Sequence, residues 1–506
     1  DNTHMTSIKY PYANKMMNSV IKKNKGGYHV ISHHQAHAAN AYYSSNFNES
    51  LILTIDGGGL DNISGKNAIN TITCWIGKEN QISLLKNFKE SEVNIGTTWN
   101  IFTVNLFGLS GGWPKGDQAG SVMAMACMGD PDKYYNEIKS LNFRHYGDWN
   151  ENQRNTFNKL VETSKNNEKE QFHVAAALQK NTEDFMFNLI KQLLELTKQR
   201  NICLSGGVAL NSVMVGKLYT VFEKELDSVY VCPVPYDAGL CIGAAQYVWH
   251  DILQNEKIQW NNNCTPYLGL QYSEKQILQS IKDYSNIISF EKCETKEMLN
   301  LVSQSKIISL FCGKSESGRR ALGNRSIIAD PRSPNMQKTL NLKVKYRESF
   351  RPFAPSILFE DVSEWFEHNT HSPYMLFVAN VRKDKHVKIE AKEQSLFGID
   401  KLKVPHSIVP AITHVDYSAR IQTVHVDTNP LFYSVIQKFK KKTGCPIVVN
   451  TSFNIRGEPI VCSPTDAFKC FMGNELDLLA IGNFILLKDD QNKKMMNYYE
   501  QKYELD

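Results

Sequence analysis

Asn201-Ile202-Cys203-Leu204-Ser205-Gly206-Gly207-Val208-Ala209-Leu210-Asn211 opens as an apolar strand, turns on a serine and two glycines, and continues as a helical stretch to Leu218. The same order recurs further on: residues 229–234 read as a strand, 235–239 as a turn, and a second helix runs through Trp249. Strand, turn and helix repeated in succession imply an α/β architecture. Working back from there, residues 51–55 form a continuous apolar strand ending at Asp56-Gly57-Gly58-Gly59, which reads as a glycine turn. Residues 71–76 are β-branched and aromatic, as a strand requires. The polar stretches 166–171 and 261–263 are expected to be loops, and no internal repeat is visible.

The chain has 506 residues, 42% hydrophobic, 22% charged and 10% aromatic, enough apolar side chain for two or three domain cores. That composition excludes a disordered chain and a small stapled module. The longest apolar run, 478–487, is interrupted by Gly482 and Asn483 and falls short of a membrane span. A net charge of +5 is mild for this length, so bulk charge does not indicate a nucleic-acid partner. Eleven cysteines without a CxxC pair point to neither a disulfide framework nor a zinc ribbon, and the expected compartment is the reducing cytoplasm. The chain begins at Asp1 without the charged-then-apolar pattern of a signal peptide. The texture changes near residue 270, where a polar helical segment precedes a basic one; the domain boundary is expected there, giving units 1–269 and 270–506. The last residues, 492–506, read as a surface helix or frayed tail.

Three constellations carry chemistry. In Ser32-His33-His34-Gln35-Ala36-His37-Ala38-Ala39, Ser32 and Gln35 fit a capping box and the alanines favour helix. His33 and His37 then share one face, as two imidazoles must to reach one ion. Asp237, in the turn after the 229–234 strand, lies where an α/β fold gathers ligands. Two imidazoles and a carboxylate suit Fe(II), Mn(II) or Zn(II). The glycine turns, with Gly57, Gly58, Gly59, Gly206, Gly207 and Asn211, favour nucleotide phosphates over plain tight turns because they let backbone N–H groups approach closely. Finally, residues 313–351 hold ten Lys or Arg against three acids, interrupted by small and apolar residues, which favours a buried oxyanion site over a solvated stripe. Lys345-Tyr346-Arg347 lies within it, and Ser452-Phe453-Asn454 follows the strand 446–449.

Together with Arg320-Ala321-Leu322-Gly323-Asn324-Arg325-Ser326, residues 347–355, and Asn450-Thr451-Ser452-Phe453-Asn454 through Gly457-Glu458-Pro459, these motifs stand in an order that resembles the NodU/CmcH-type O-carbamoyltransferases over nearly the whole chain. The resemblance implies an N-terminal TsaD-like domain of the actin and sugar-kinase ATPase fold, then a YrdC-like twisted-sheet domain. It further implies that carbamoyl phosphate and ATP, with Mg(II), form carbamoyl adenylate in the second domain. The first domain would then pass the carbamoyl group to an acceptor hydroxyl. By position, Arg320, Lys345, Arg347, His414, Arg420, Ser452 and Asn454 would hold carbamoyl phosphate and ATP, with Lys345, Arg320 and Arg420 catalytic. His33, His37 and Asp237 would bind the metal, iron first among the candidates. Similar proteins carbamoylate nodulation glycans, aminoglycosides, cephems, ansamycins and saxitoxin-type alkaloids, so antibiotic, toxin or other natural-product biosynthesis is the expected setting, and a homodimer is compatible with it.

The chain departs from the pattern in places. The family's strand and hairpin before the histidine helix are not in these residues, so the first lobe is expected to be incomplete. Ala119-Gly120-Ser121 stands for the usual Glu-Gly-Lys, Arg319 for Pro and Tyr417 for Gly. Competing readings are threonylcarbamoyl- or hydrogenase-maturation-type carbamoylation of tRNA or protein, a nucleic-acid-binding protein using the basic stretch, and a plain ATPase-fold kinase.

Overall fold

The computed structural model describes residues 29–63, 66–110, 118–260, 264–282, 289–292, 307–345, 352–455 and 458–492. The architecture is mixed α/β, as expected, and its described strands form two sheets. The first contains β1 (Glu49–Ile63), β2 (Lys66–Lys78), β3 (Gln81–Lys89), β4 (Asn201–Ser205) and β5 (Ser228–Val231) in the order β3-β2-β1-β4-β5. β1 to β3 are an antiparallel meander, whereas β4 pairs in parallel with β1 and β5 in parallel with β4. Parallel pairing needs a crossover. Here the crossover between β1 and β4 includes the 30-residue helix Glu168–Thr197, whose buried face of Val174, Leu178, Met186, Ile190 and Leu193 packs into the core.

The second sheet contains β6 (Glu291–Lys292), β7 (Ile308–Phe311), β8 (Arg325–Ala329), β9 (Ala354–Leu358), β10 (Phe377–Asn380), β11 (Ser418–Val424), β12 (Ile447–Ser452), β13 (Leu478–Ile481) and β14 (Phe484–Leu487). Its order is β10-β11-β9-β12-β8-β7-β13-β14-β6. Fully buried runs such as Ile308 to Phe311 and Ile447 to Asn450 explain why these strands read as continuously apolar rather than alternating. The run 478–487 is a hairpin, with Gly482 in the left-handed region at φ 54°. No helix among the described residues is long and apolar enough to cross a membrane.

Several local expectations need correction. Asp56-Gly57-Gly58-Gly59 does not end a strand: β1 continues to Ile63, and the glycines form a bulge where the register with β2 shifts between Ile55 and Gly59. Residues 166–171 are not all loop, because Asn167 caps the long helix, its side chain accepting from the Glu170 N–H, and helix begins at Glu168. Helix does not follow the Gly206-Gly207 turn directly. A 3-10 turn, Gly207–Leu210, intervenes, and the α-helix runs from Ser212 to Val221. The histidine helix, His33–Tyr43, forms without the capping box: Ser32 makes no side-chain cap, and its Oγ instead accepts from the Asn62 N–H at 3.0 Å. Residues 261–263 and 493–506 lie outside the described residues.

The histidine helix is set by a close approach to the helix Leu240–Tyr247. A Cβ on Gly243 would stand 1.8 Å from the Ala36 carbonyl oxygen, and one on Gly239 2.1 Å from that of Val234. Asn40 locks the same junction by donating to the Val234 carbonyl at 2.9 Å. Gly243→Ala is therefore expected to destabilise the fold by about 1–3 kcal/mol, the range for overpacking, measured by thermal or urea unfolding. An unchanged midpoint would mean that the helix pair has slack.

Candidate functional site

His33 and His37 lie one turn apart on the helix, and both approach Asp237, at the start of a 3-10 turn Asp237–Gly239. The structure adds Asp56, which the sequence reading absorbed into a phosphate loop. His37 Nε2 lies 3.0 Å from Asp56 Oδ2 and 3.5 Å from Asp237 Oδ1; His33 Nε2 lies 3.6 and 3.7 Å from the same two oxygens. All four donors fall within 4.8 Å of one another. His33 Nε2 is buried and makes no hydrogen bond.

The surrounding bonds fix how His37 presents itself. Ser205 Oγ donates to the Pro235 carbonyl at 3.0 Å, which leaves it to accept from His37 Nδ1 at 3.3 Å. The proton on Nδ1 turns the Nε2 lone pair toward two carboxylates, an arrangement that is repulsive until a cation lies between them. Burial pulls the His37 pKa down, but hydrogen bonds to Asp237 and Asp56 outweigh it and the pKa is raised. Burial alone would raise Asp56, yet His33, His37 and the Gly57 N–H hold it well below the usual carboxylate range. Two imidazoles, two carboxylates and an orphaned buried nitrogen fit a divalent metal. His34, between them in sequence, is structural: Nε2 donates to the Asn70 carbonyl at 2.9 Å, Nδ1 meets Thr54 Oγ1 at 2.7 Å, and burial pushes its pKa down to about 4.

The glycines serve this centre. A Cβ on Gly59 would sit 2.1 Å from the His33 ring, one on Gly206 (φ 90°) 2.1 Å from the Ile55 carbonyl oxygen, and the Gly207 N–H donates to Asp56 Oδ2 at 3.2 Å. Gly57 carries its N–H to Asp56 Oδ1 at 2.6 Å, Gly58 takes φ 143° in the bulge, and Asn211 caps the Ser212–Val221 helix. Gly59→Ala should displace the His33 ring and weaken metal binding by about 10–100-fold, the cost typical of disturbing a ligand's support, read by metal titration. Full affinity would show that His33 is not a ligand.

In the second half, Arg320, Arg420, His414 and Ser452 line one cavity of about 470 Å³, together with residues of the first half such as Cys127 and Lys217. Behind its wall the buried Lys345 ammonium donates to the Ser452 carbonyl, to Ser452 Oγ at 3.2 Å and to Asn454 Oδ1 at 2.8 Å. Arg320 Nε is buried without a hydrogen bond, and burial, then Arg420 and Arg319, push its pKa well below that of a free guanidinium. Crowded cations facing a cavity call for an anion. Arg347 lies outside the described residues.

Not all of the basic stretch belongs to this cavity. Arg325 is fully buried over the Phe311 ring at 3.7 Å, donating to the carbonyls of Cys312 and Asn324, and Arg332 pairs with Asp330 at 2.6 Å. Cavity and metal cluster adjoin through one seam: Arg319 lies 4.7 Å over the Tyr236 ring, next to Asp237, and Gly318 packs on the Pro233 carbonyl.

Family models described as carbamoyltransferase N-terminus and carbamoyltransferase C-terminus match residues 5–246 and 299–488. An uncharacterised protein of Synechocystis is 38% identical, over 94% of this chain and 78% of its own length. Nodulation protein NolO of Bradyrhizobium diazoefficiens is 34% identical, over 90% and 79%. Nodulation protein NolNO of Sinorhizobium fredii is 33% identical over 90% of this chain, which spans 64% of that longer protein. The crystal structure of T. kodakarensis HypF overlaps 47% of this chain and 39% of its own at 13% identity and a TM-score of 0.28, a likeness too slight to argue from.

Proposed function

The chain belongs to the carbamoyltransferase family, and from that premise we propose that it consumes carbamoyl phosphate and ATP, forms carbamoyl adenylate, and transfers the carbamoyl group to a hydroxyl of a small-molecule natural product or glycan. The observation that carries the reading is the cationic cavity adjoining the two-histidine, two-aspartate cluster. In this reading residues 270–506 are the YrdC-like adenylate-forming unit and residues 1–269 the TsaD-like transfer unit.

Each residue then has a physical task. Arg320 and Arg420 hold the phosphoryl oxygens of carbamoyl phosphate, and Ser452 Oγ fixes its orientation on the wall. Lys345 keeps a positive charge behind Ser452 and Asn454, where charge develops as phosphate leaves the carbamoyl carbon. His33, His37, Asp56 and Asp237 would hold a divalent metal, Fe(II) first among the candidates, which supplies Lewis-acid polarisation of a phosphate oxygen. Arg319, stacked on Tyr236, sets the spacing between the two halves of the reaction.

Incubation with carbamoyl phosphate, ATP and an accepted hydroxyl compound should release AMP and pyrophosphate and add one carbamoyl mass to the acceptor. ADP as the sole nucleotide product would instead favour a kinase. Arg320→Ala should raise KM for carbamoyl phosphate by about tenfold or more, the loss of one charge-assisted contact of about 1.5–3 kcal/mol. An unchanged KM would remove Arg320 from the anion site.

A further inference from the structure

We propose that Cys127, His414 and Asp416 form a second metal site, taking a thiophilic divalent cation of the zinc class through one sulfur, one nitrogen and one oxygen. Cys127 ends the helix Ala119–Ala126 of the first half, and its Sγ lies 2.7 Å from His414 Nδ1. Asp416 Oδ1 lies 3.7 Å from the same nitrogen, and the three donors fall within 4.8 Å of one another. His414 is buried, and both it and Asp416 sit on a tight turn entering β11, closed by the His414 N–H on the Ser418 carbonyl at 2.9 Å and the Tyr417 N–H on the His414 carbonyl at 3.0 Å. Tyr417 takes φ 65° there, and its ring stacks on His386 at 4.0 Å, which holds the turn in a conformation usually left to glycine.

The convergence discriminates between two readings of a Cys, His, Asp set. In a nucleophilic triad the carboxylate orients the imidazole through one nitrogen while the thiol uses the other. Here the thiol lies closest to Nδ1, at 2.7 Å against 3.8 Å from Nε2, and the carboxylate approaches Nδ1 as well, which is how ligands converge on an ion. A tetrahedral zinc needs about 3.5 Å between its sulfur and nitrogen donors, from bond lengths of about 2.3 and 2.1 Å. The Asp416 spacing already meets this, and Cys127 must retreat by about 1 Å as the metal replaces the proton shared with His414. Thiolate and carboxylate together neutralise a dication. All three residues line the cavity that holds Arg320 and Arg420, so the fourth position opens onto it.

The test uses the full chain stripped of metal by chelation and titrated with Co(II). We expect a thiolate-to-cobalt charge-transfer band in the near ultraviolet that is absent in Cys127→Ser and persists in His37→Ala. Zn(II) should bleach it and raise the melting temperature of the wild-type chain, because the site joins the first half to the second. Asp416→Asn, which keeps the size of the side chain and an oxygen for the Ser418 N–H and Oγ to donate to, should weaken the Co(II) affinity by about tenfold or more. No band in the wild-type chain, a full band in Cys127→Ser, or unchanged affinity in Asp416→Asn would each overturn the site. None of these readouts involves carbamoyl phosphate, so they stand or fall apart from the transfer reaction.

Discussion

Lys345→Ala is expected to slow formation of the activated carbamoyl species by about a hundredfold or more, the loss that follows removal of one preorganised charge donor of roughly 3 kcal/mol. Lys345 is 4% exposed, and its ammonium is gripped by Ser452 and Asn454, far along the chain. Its removal takes away charge beside the cavity and also frees the two residues that it positions. Carbamoyl phosphate-dependent exchange of labelled pyrophosphate into ATP measures this half-reaction alone. Transfer from preformed carbamoyl adenylate should survive in the variant, because the cluster around His37 is untouched. A variant equally inactive with preformed adenylate would favour one shared site and defeat the division of labour.

His37→Ala should show the reverse pattern. His37 is fully buried and contacts both aspartates, so its loss leaves His33 and two carboxylates to hold a dication. Metal affinity should fall by more than about a hundredfold, beyond the range seen when only a ligand's supporting partner is lost. Exchange of pyrophosphate should persist while transfer from preformed adenylate is lost. Full metal occupancy in this variant, measured by elemental analysis, would exclude His37 as a ligand. The pair of variants thus tests the two halves against each other with the same reagents.

The parts of this site that were legible in the sequence are those set by local geometry. Helical spacing placed His33 and His37 on one face, and the strand-turn-helix order placed Asp237 at a strand end. Asp56 was missed because its partners make it a candidate ligand, not its neighbours: the same Asp-Gly-Gly-Gly reads as a phosphate turn until β2 pairs past it and the His33 ring fills the space above Gly59. Ser205 and Cys127 were invisible for the same reason, since their partners lie far off in the chain. Basic residues were legible as a cluster but not by role. Arg325 and Arg320 are five positions apart, yet one gives its terminal nitrogens to backbone carbonyls and the other faces the cavity. Charge counting cannot separate a structural cation from a binding one, because that depends on which carbonyls the fold turns inward.

The order of strands in the first sheet also sets a timetable for the growing chain. β1, β2 and β3 are neighbours in sequence and can pair once residues 49–89 have left the ribosome, whereas the partner of Leu51, Ile202, follows only after the long crossover helix. Contacts so distant in sequence close slowly. Until then one edge of β1, buried in the finished fold, has no partner, and the nascent chain carries an open strand edge of the kind that invites misassembly. Asp237 arrives later still, so the cluster of His33, His37, Asp56 and Asp237 is among the last features of this half to be assembled, and synthesis halted before it should yield a sheet without its centre.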